Sequence, residues 1–247
     1  MLASRLKALK HPLAQKLIEL AIKKHSNLCL SLDVTKSAHF IEIVAELGPY
    51  LAMLKTHIDI LEDFTPEFLL QLQALAAKHQ FFIFEDRKFA DIGHTAQLQY
   101  QQGIYRIASW ADFITCHALP GPGMLQALAQ IGVPRHRAAF LVVEMSAAGH
   151  LLDAHYQDAA LTLLRQHPEF MAGVIAQHRF PNTESWLYCM PGVNLQAEGD
   201  GIGQQYRTPL AAMRAGADIL IVGRGLYQAK DRVAEAKRYL DACAEFI

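Results

Sequence analysis

The chain has 247 residues, 52% of them apolar and 19% charged, with 23 Lys and Arg against 24 Asp and Glu. That composition suits one soluble domain, residues 1–247, with a substantial core. Near-zero net charge offers no broad basic field for nucleic acid, and no stretch reaches the roughly 18 to 20 apolar residues of a membrane span.

From the N-terminus, Pro12 to Lys24 carries apolar residues at helical spacing (Leu13, Leu17, Ile18, Leu20, Ala21). Leu28 to Val34 reads as a strand with Asp33 at its end, and Ser37 to Leu47 as a helix stopped by Gly48-Pro49. Tyr50 to Lys55 is a second strand. Thr65-Pro66-Glu67 opens a helix to Lys78, with Thr65 as the capping residue.

The third strand begins Phe81-Phe-Ile-Phe84 and turns abruptly into charge at Glu85-Asp86-Arg87-Lys88. Asp86 and Lys88 are two apart, so on a strand they share a face with Phe84. Asp91 and Thr95 are four apart, so on the helix expected next, to about Gln102, they share another.

The alternation continues. Asp112 to His117 is a fourth strand, with a helix from Gly121-Pro-Gly123 to Gln130, and Ala138 to Met145 a fifth, with a helix over Leu151 to Gln166. Gly173 to Gln177 is the sixth strand and Trp186 to Met190 the seventh. A long loop follows, Pro191 to Thr208, then a helix over Pro209 to Ala215 closed by Gly216. Asp218 to Gly223 is the eighth strand, and Tyr227 to Phe246 the closing helix. Eight strands alternating with helices predict parallel pairing and a single (β/α)₈ barrel. A doubly wound sheet would favour a glycine-rich first turn, and the first strand runs instead into Asp33-Val-Thr-Lys.

Cys29, Cys116, Cys189 and Cys243 form no Cys-x-x-Cys pair; three lie in strand runs and the fourth in the closing helix. Buried, reduced thiols fit a cytoplasmic protein. Met1 to Lys24 is amphipathic and basic, without the apolar core of a signal peptide.

In such a barrel the chemistry sits at the C-terminal strand ends. Those ends carry Ser31 and Asp33, Lys55 and His57, Asp86 and Lys88, His117, Glu144 and Ser146, His178, Pro191 and Arg224. Two lysines and two aspartates thus converge from the first three strands, more than a purely structural ion-pair network requires. Ile221-Val-Gly-Arg-Gly225, opening into the last helix, predicts an anion site, with Arg224 as a forked donor. The loop glycines Gly192, Gly199, Gly201 and Gly203 accompany Gln204 and Tyr206, which could fold over a phosphate as a lid. No metal-ligand spacing, serine elbow or Walker loop is present, so a cofactor-free, metal-free reaction is the simplest expectation.

Six runs bear a family likeness: Leu30-Ser-Leu-Asp33, Leu54-Lys-Thr-His57, Asp86-Arg-Lys-Phe-Ala-Asp-Ile-Gly93 with Thr95, Met190-Pro-Gly-Val193, Gly199-Asp-Gly-Ile-Gly-Gln-Gln-Tyr-Arg-Thr208 and Val222-Gly-Arg-Gly225. Over nearly its whole length the chain resembles the orotidine 5′-phosphate decarboxylase family. His94 departs from the asparagine expected before the threonine.

The resemblance implies conversion of orotidine 5′-phosphate to UMP and CO₂, the last step of pyrimidine synthesis, without metal or organic cofactor. It implies Lys88 as proton donor to C6 and Asp86 facing the leaving carboxylate. Ser31, Asp33 and Lys55 would bind the ribose side and tie the charges together. Ser146 would read the pyrimidine amide, and Pro191, Gln204, Tyr206 and Arg224 would hold the base-side lid and the phosphate. It also implies a homodimer in which Asp91 and Thr95 act in the neighbour's site. With no phosphoribosyltransferase half, a monofunctional enzyme is expected. The rival readings are a Mg²⁺-dependent barrel acting on a keto-sugar phosphate and a non-catalytic nucleotide-binding barrel.

Overall fold

The computed structural model describes residues 1–196 and 203–247. Among these, eight parallel strands close a barrel in chain order, β1 pairing with β8. The strands are β1 (Leu28–Ser31), β2 (Met53–Thr56), β3 (Phe82–Phe89), β4 (Phe113–His117), β5 (Ala138–Val142), β6 (Met171–Ile175), β7 (Leu187–Met190) and β8 (Ile219–Val222). The helices are α1 (Leu2–Ala8), α2 (Pro12–Lys24), α3 (Ser37–Leu47), α4 (Pro66–His79), α5 (Gly93–Gln101), α6 (Pro122–Gly132), α7 (Ala154–Gln166), α8 (Pro209–Arg214), α9 (Arg224–Tyr227) and α10 (Arg232–Asp241). None is long and apolar enough to cross a membrane.

Helix α2 shows how local chemistry sets the bounds. Pro12 occupies its first turn, His11 Nδ1 accepts from the Leu13 N–H, and His25 ends it in a left-handed conformation at φ 49°. Its buried face is Ala14, Leu17, Ile18 and Ala21, at helical spacing. Thr65, by contrast, precedes Pro66 but makes no side-chain cap; Pro66 and the extended Thr65 backbone define that helix start.

Two apolar layers form the core. One lies between the outer barrel face and the surrounding helices. The other fills the barrel and continues into α1 and α2, joining Leu2, Leu17 and Ile18 to Cys29, Met53, Phe84, Phe113 and Phe140. The short helix α1 was not expected. It is fixed by Arg5, whose Nε donates to buried Asp218 at 2.7 Å and whose Nη2 donates to the Trp186 carbonyl at 2.8 Å.

The closing helix also differs from expectation: α9 ends at Tyr227, where that helix was to begin, and α10 covers only Arg232–Asp241. Asp231 accepts from the Ala234 N–H at 2.9 Å and so starts a new helix within the expected one. Cys243 therefore lies beyond α10 rather than inside a helix; all four cysteines are free and buried.

Inside the barrel each early strand changes character along its length. Phe84, Phe113 and Phe140 make an aromatic floor, Phe113 stacked on Phe140 with centroids 4.8 Å apart and Phe84 edge-on at 5.2 Å. One inward step further on, the same strands present Asp86 and Thr115, and β2 presents Lys55 above Met53. A buried aromatic floor thus carries a charged layer.

Candidate active site

The charged layer is organised around Asp86. Its Oδ2 lies 2.7 Å from Lys55 Nζ, 2.7 Å from Lys88 Nζ and 3.2 Å from His57 Nε2. The same imidazole reaches Asp33 Oδ1 through Nδ1 at 2.8 Å. Two carboxylates and three basic side chains at the ends of three successive strands are therefore joined in one chain of contacts. Burial alone would oppose ionisation of Asp86, but Lys55, His57 and Lys88 outweigh it and hold the carboxyl well below the usual range. Burial likewise opposes the Lys55 charge, and Asp86 and Asp33 overcome it, raising its pKa. For His57, burial is outweighed by the hydrogen bonds to Asp33 and Asp86, so its pKa is raised.

Lys55 is buried, whereas the Lys88 side chain keeps 35% of its exposure. Lys88 owes its aim to an irregular backbone. Pairing of β3 with β4 shifts between Glu85 and Phe89, and Lys88 sits in the left-handed region at φ 52°.

The mouth is bounded on the far side by the loop after β7. Ser146 and Gln204 exchange hydrogen bonds, Gln204 Nε2 donating to Ser146 Oγ at 2.8 Å. Backbone bonds from Gln205 N–H to the Ser146 carbonyl and from Ala148 N–H to the Gly203 carbonyl extend that seam. Arg224 Nη2 donates to Tyr206 Oη at 2.9 Å, tying the loop to the start of α9. Gly192 is required here: at φ 74° its Cβ would stand 2.5 Å from the Gln205 carbonyl oxygen. At Gly225 a Cβ would stand 2.8 Å from Tyr239 Oη, so a side chain there would displace that ring.

These groups line one cavity of about 260 Å³. Ser31, Asp33, Lys55, Asp86, Lys88, Ser146, Pro191 and Arg224 border it from strand ends, and Gln204 and Tyr206 from the long loop. So does His57, which the sequence placed at a strand end without a role. Glu144 and His178 instead pair with each other at 3.1 Å, outside this cavity.

Asp91 and Thr95 do not border it either. The expectation that they share a helical face needs correction, because α5 starts at Gly93 and Asp91 precedes it. Asp91 Oδ1 accepts from the Ile92 N–H at 2.7 Å, and Ile92, extended at ψ 153°, delays the helix. Gly199 and Gly201 lie outside the described residues.

Sequence reasoning missed two further residues. Thr115 is buried on β4 and touches both Asp86 and Lys88. Glu85, also buried, accepts from the Thr56 hydroxyl at 2.5 Å and from the Ile58 N–H at 3.1 Å, holding the residues on both sides of His57. The alternation of β4 could have found Thr115, two residues after inward Phe113. Among the described residues no group of three or more His, Cys, Asp or Glu is arranged to hold a metal ion.

The comparison that decides the family is a match of residues 26–239 to the model of the orotidine 5′-phosphate decarboxylase / HUMPS family. The chain belongs to that family. It is 46% identical over 243 residues to the orotidine 5′-phosphate decarboxylase of Schizosaccharomyces pombe, covering 97% of this chain and 92% of that protein. It is 45% identical over 236 residues to the uridine 5′-monophosphate synthase of Bos taurus, covering 95% of this chain and 49% of that one. In fold it is similar to the orotidine 5′-monophosphate decarboxylase of Methanocaldococcus jannaschii complexed with the inhibitor BMP. The TM-score there is 0.67 at 21% identity, covering 88% of this chain and 98% of that chain. Family membership and barrel topology thus agree with what the six sequence runs implied.

Proposed function

We propose that this protein decarboxylates orotidine 5′-phosphate to UMP and CO₂, the last step of de novo pyrimidine synthesis, with Lys88 delivering the proton to C6 and no cofactor. The observation that carries the reading is the Lys55–Asp86–Lys88 array, with Asp86 Oδ2 at 2.7 Å from both ammonium groups. Curated relatives covering nearly the whole chain, including that of Schizosaccharomyces pombe, are named for this activity.

Loss of CO₂ from C6 leaves an electron pair with no conjugated position to spread onto. A fixed ammonium at that atom stabilises it, and does so more strongly above a buried aromatic floor than in water. Asp86, locked ionised, would stand beside the substrate carboxylate, and departure of CO₂ would relieve the repulsion. Lys55 and His57 hold Asp86 in place while Lys88 gives up its proton. Ser31, Asp33 and Lys55 would take the ribose. Ser146 with Gln204, backed by Pro191, would read the pyrimidine amide. Tyr206 and Arg224 would take the phosphate at the start of α9, where barrels of this class bind it. Binding energy from that remote group would hold the unfavourable arrangement at C6.

The reading includes a homodimer in which Asp91 and Thr95 complete the neighbour's site. Support comes from their placement: Asp91 is exposed outside its own chain's cavity, beside Ile92, which is 67% exposed. Buried free thiols fit a cytoplasmic setting.

The test is loss of orotate absorbance from orotidine 5′-phosphate in the presence of a strong chelator. Turnover is expected to survive. Turnover abolished by chelation would favour a metal-dependent sugar-phosphate enzyme. Tight UMP binding without turnover would favour a nucleotide-binding barrel.

A further inference from the structure

Thr115 occupies a position that the reaction scheme above does not use. Between the paired positions Glu85↔Ile114 and Phe89↔Cys116, β3 places Asp86, Arg87 and Lys88 opposite the single residue Thr115 of β4. A regular parallel ladder would give the Lys88 N–H a backbone carbonyl. At the irregularity that N–H donates instead to Thr115 Oγ1 at 2.9 Å. The same hydroxyl donates to Asp86 Oδ1 at 2.7 Å. Thr115 is fully buried, so its hydroxyl must find its partners within the protein.

One hydroxyl therefore fixes two things at once. By accepting from Lys88 it anchors the left-handed backbone, φ 52°, that aims the ammonium. By donating to Oδ1 it fixes the carboxylate plane, leaving Oδ2 for Lys55, Lys88 and His57. Thr115 does not itself border the cavity.

We propose that Thr115 is a positioning residue, whose hydroxyl sets the relative placement of Asp86 and the Lys88 ammonium. This rests on the decarboxylase reading only for its kinetic consequence. An ammonium displaced by a fraction of an ångström to one ångström loses transition-state stabilisation, and displacements of that size cost up to about a hundredfold.

The test uses the full chain and three variants. Thr115→Val keeps the shape and removes both bonds. Its kcat is expected to fall by roughly ten- to a hundredfold, while its dissociation constant for UMP stays within about twofold of wild type, since the phosphate contacts are untouched. Thr115→Ser keeps both bonds and is expected to recover kcat to within about threefold. Thr115→Cys, a weak donor and acceptor, should fall between them and serves if the valine variant does not fold. A second readout needs no turnover: amide exchange at Lys88 should be slow in wild type and in Thr115→Ser, and much faster in Thr115→Val or Thr115→Cys, with Phe84 unchanged. Wild-type kcat in a folded Val or Cys variant overturns the proposal. So does a serine variant as impaired as valine, or Lys88 exchange indifferent to the hydroxyl. A wild-type protein that left orotidine 5′-phosphate intact would overturn the activity instead, and the exchange data would still decide on Thr115.

Discussion

Arg224 and Tyr206 meet across the mouth of the barrel, guanidinium Nη2 donating to phenol Oη at 2.9 Å. The bond joins the loop after β7 to the first residue of α9, so a phosphate held by Arg224 would also bear on the lid. Arg224→Ala is expected to raise KM by roughly ten- to a hundredfold, the scale of a lost charged hydrogen bond, with a smaller effect on kcat. Tyr206→Phe should do the same more weakly. An unchanged KM in Arg224→Ala would remove Arg224 from the phosphate site.

Asp86 separates two ammonium groups and, in the proposed reaction, faces a substrate carboxylate. Asp86→Asn is expected to lower kcat by at least about a hundredfold, since the array that aims Lys88 loses its centre. Because the proposed repulsion also disappears, binding of orotidine 5′-phosphate should be as tight as in wild type or tighter. Binding by calorimetry on a slow-turnover variant measures this; weakened binding with retained kcat would contradict the repulsion account. The carboxyl's pKa is lowered well below its ordinary 3.8. Its stabilising contribution is therefore present above that pH and lost as the pH falls below it, and the asparagine variant should lack this part of the acid limb.

Glu85 gives a prediction about stability. Burial dominates its environment and pushes its pKa from 4.5 up to about 7, against the bonds from Thr56 and Ile58. A raised carboxyl binds its proton more tightly when folded. Its contribution is full below about pH 4.5 and disappears as the pH rises through about 7. A shift of that size corresponds to on the order of 3 kcal/mol. Glu85→Gln mimics the protonated acid at every pH. The melting temperature of wild type relative to Glu85→Gln should fall steadily from pH 5 to pH 8. His57, also raised, loses its contribution in the same direction, but it remains in both proteins and cancels. A pH-independent difference would show that Glu85 stays ionised throughout.

The sequence discloses the barrel because each strand is a short apolar run and each helix has its own start and stop. Pro12 to Lys24 and Ser37 to Leu47 match their helices residue for residue. The charged strand ends disclose most of the cavity for the same reason: a lysine after Met53-Leu54 has few purposes in a core. What stayed hidden depends on partners distant in the chain. Helix α1 is held by Asp218, more than two hundred residues away. Thr115 and Glu85 look like ordinary strand residues until β3 and β2 are placed beside them. The left-handed Lys88 follows from a register shift between two strands, which no single run records. Asp91 was misplaced because extended Ile92 delays the start of α5 to Gly93.

The central claim is that the Lys88 ammonium, fixed against Asp86 at 2.7 Å, stabilises charge at C6 and protonates it. Lys88→Ala turnover of orotidine 5′-phosphate tests it most directly. The account predicts a loss of at least about a thousandfold in kcat, the scale of one fixed charge at a developing anion, with UMP still bound through Arg224 and Tyr206. Near-normal turnover in that variant would contradict it.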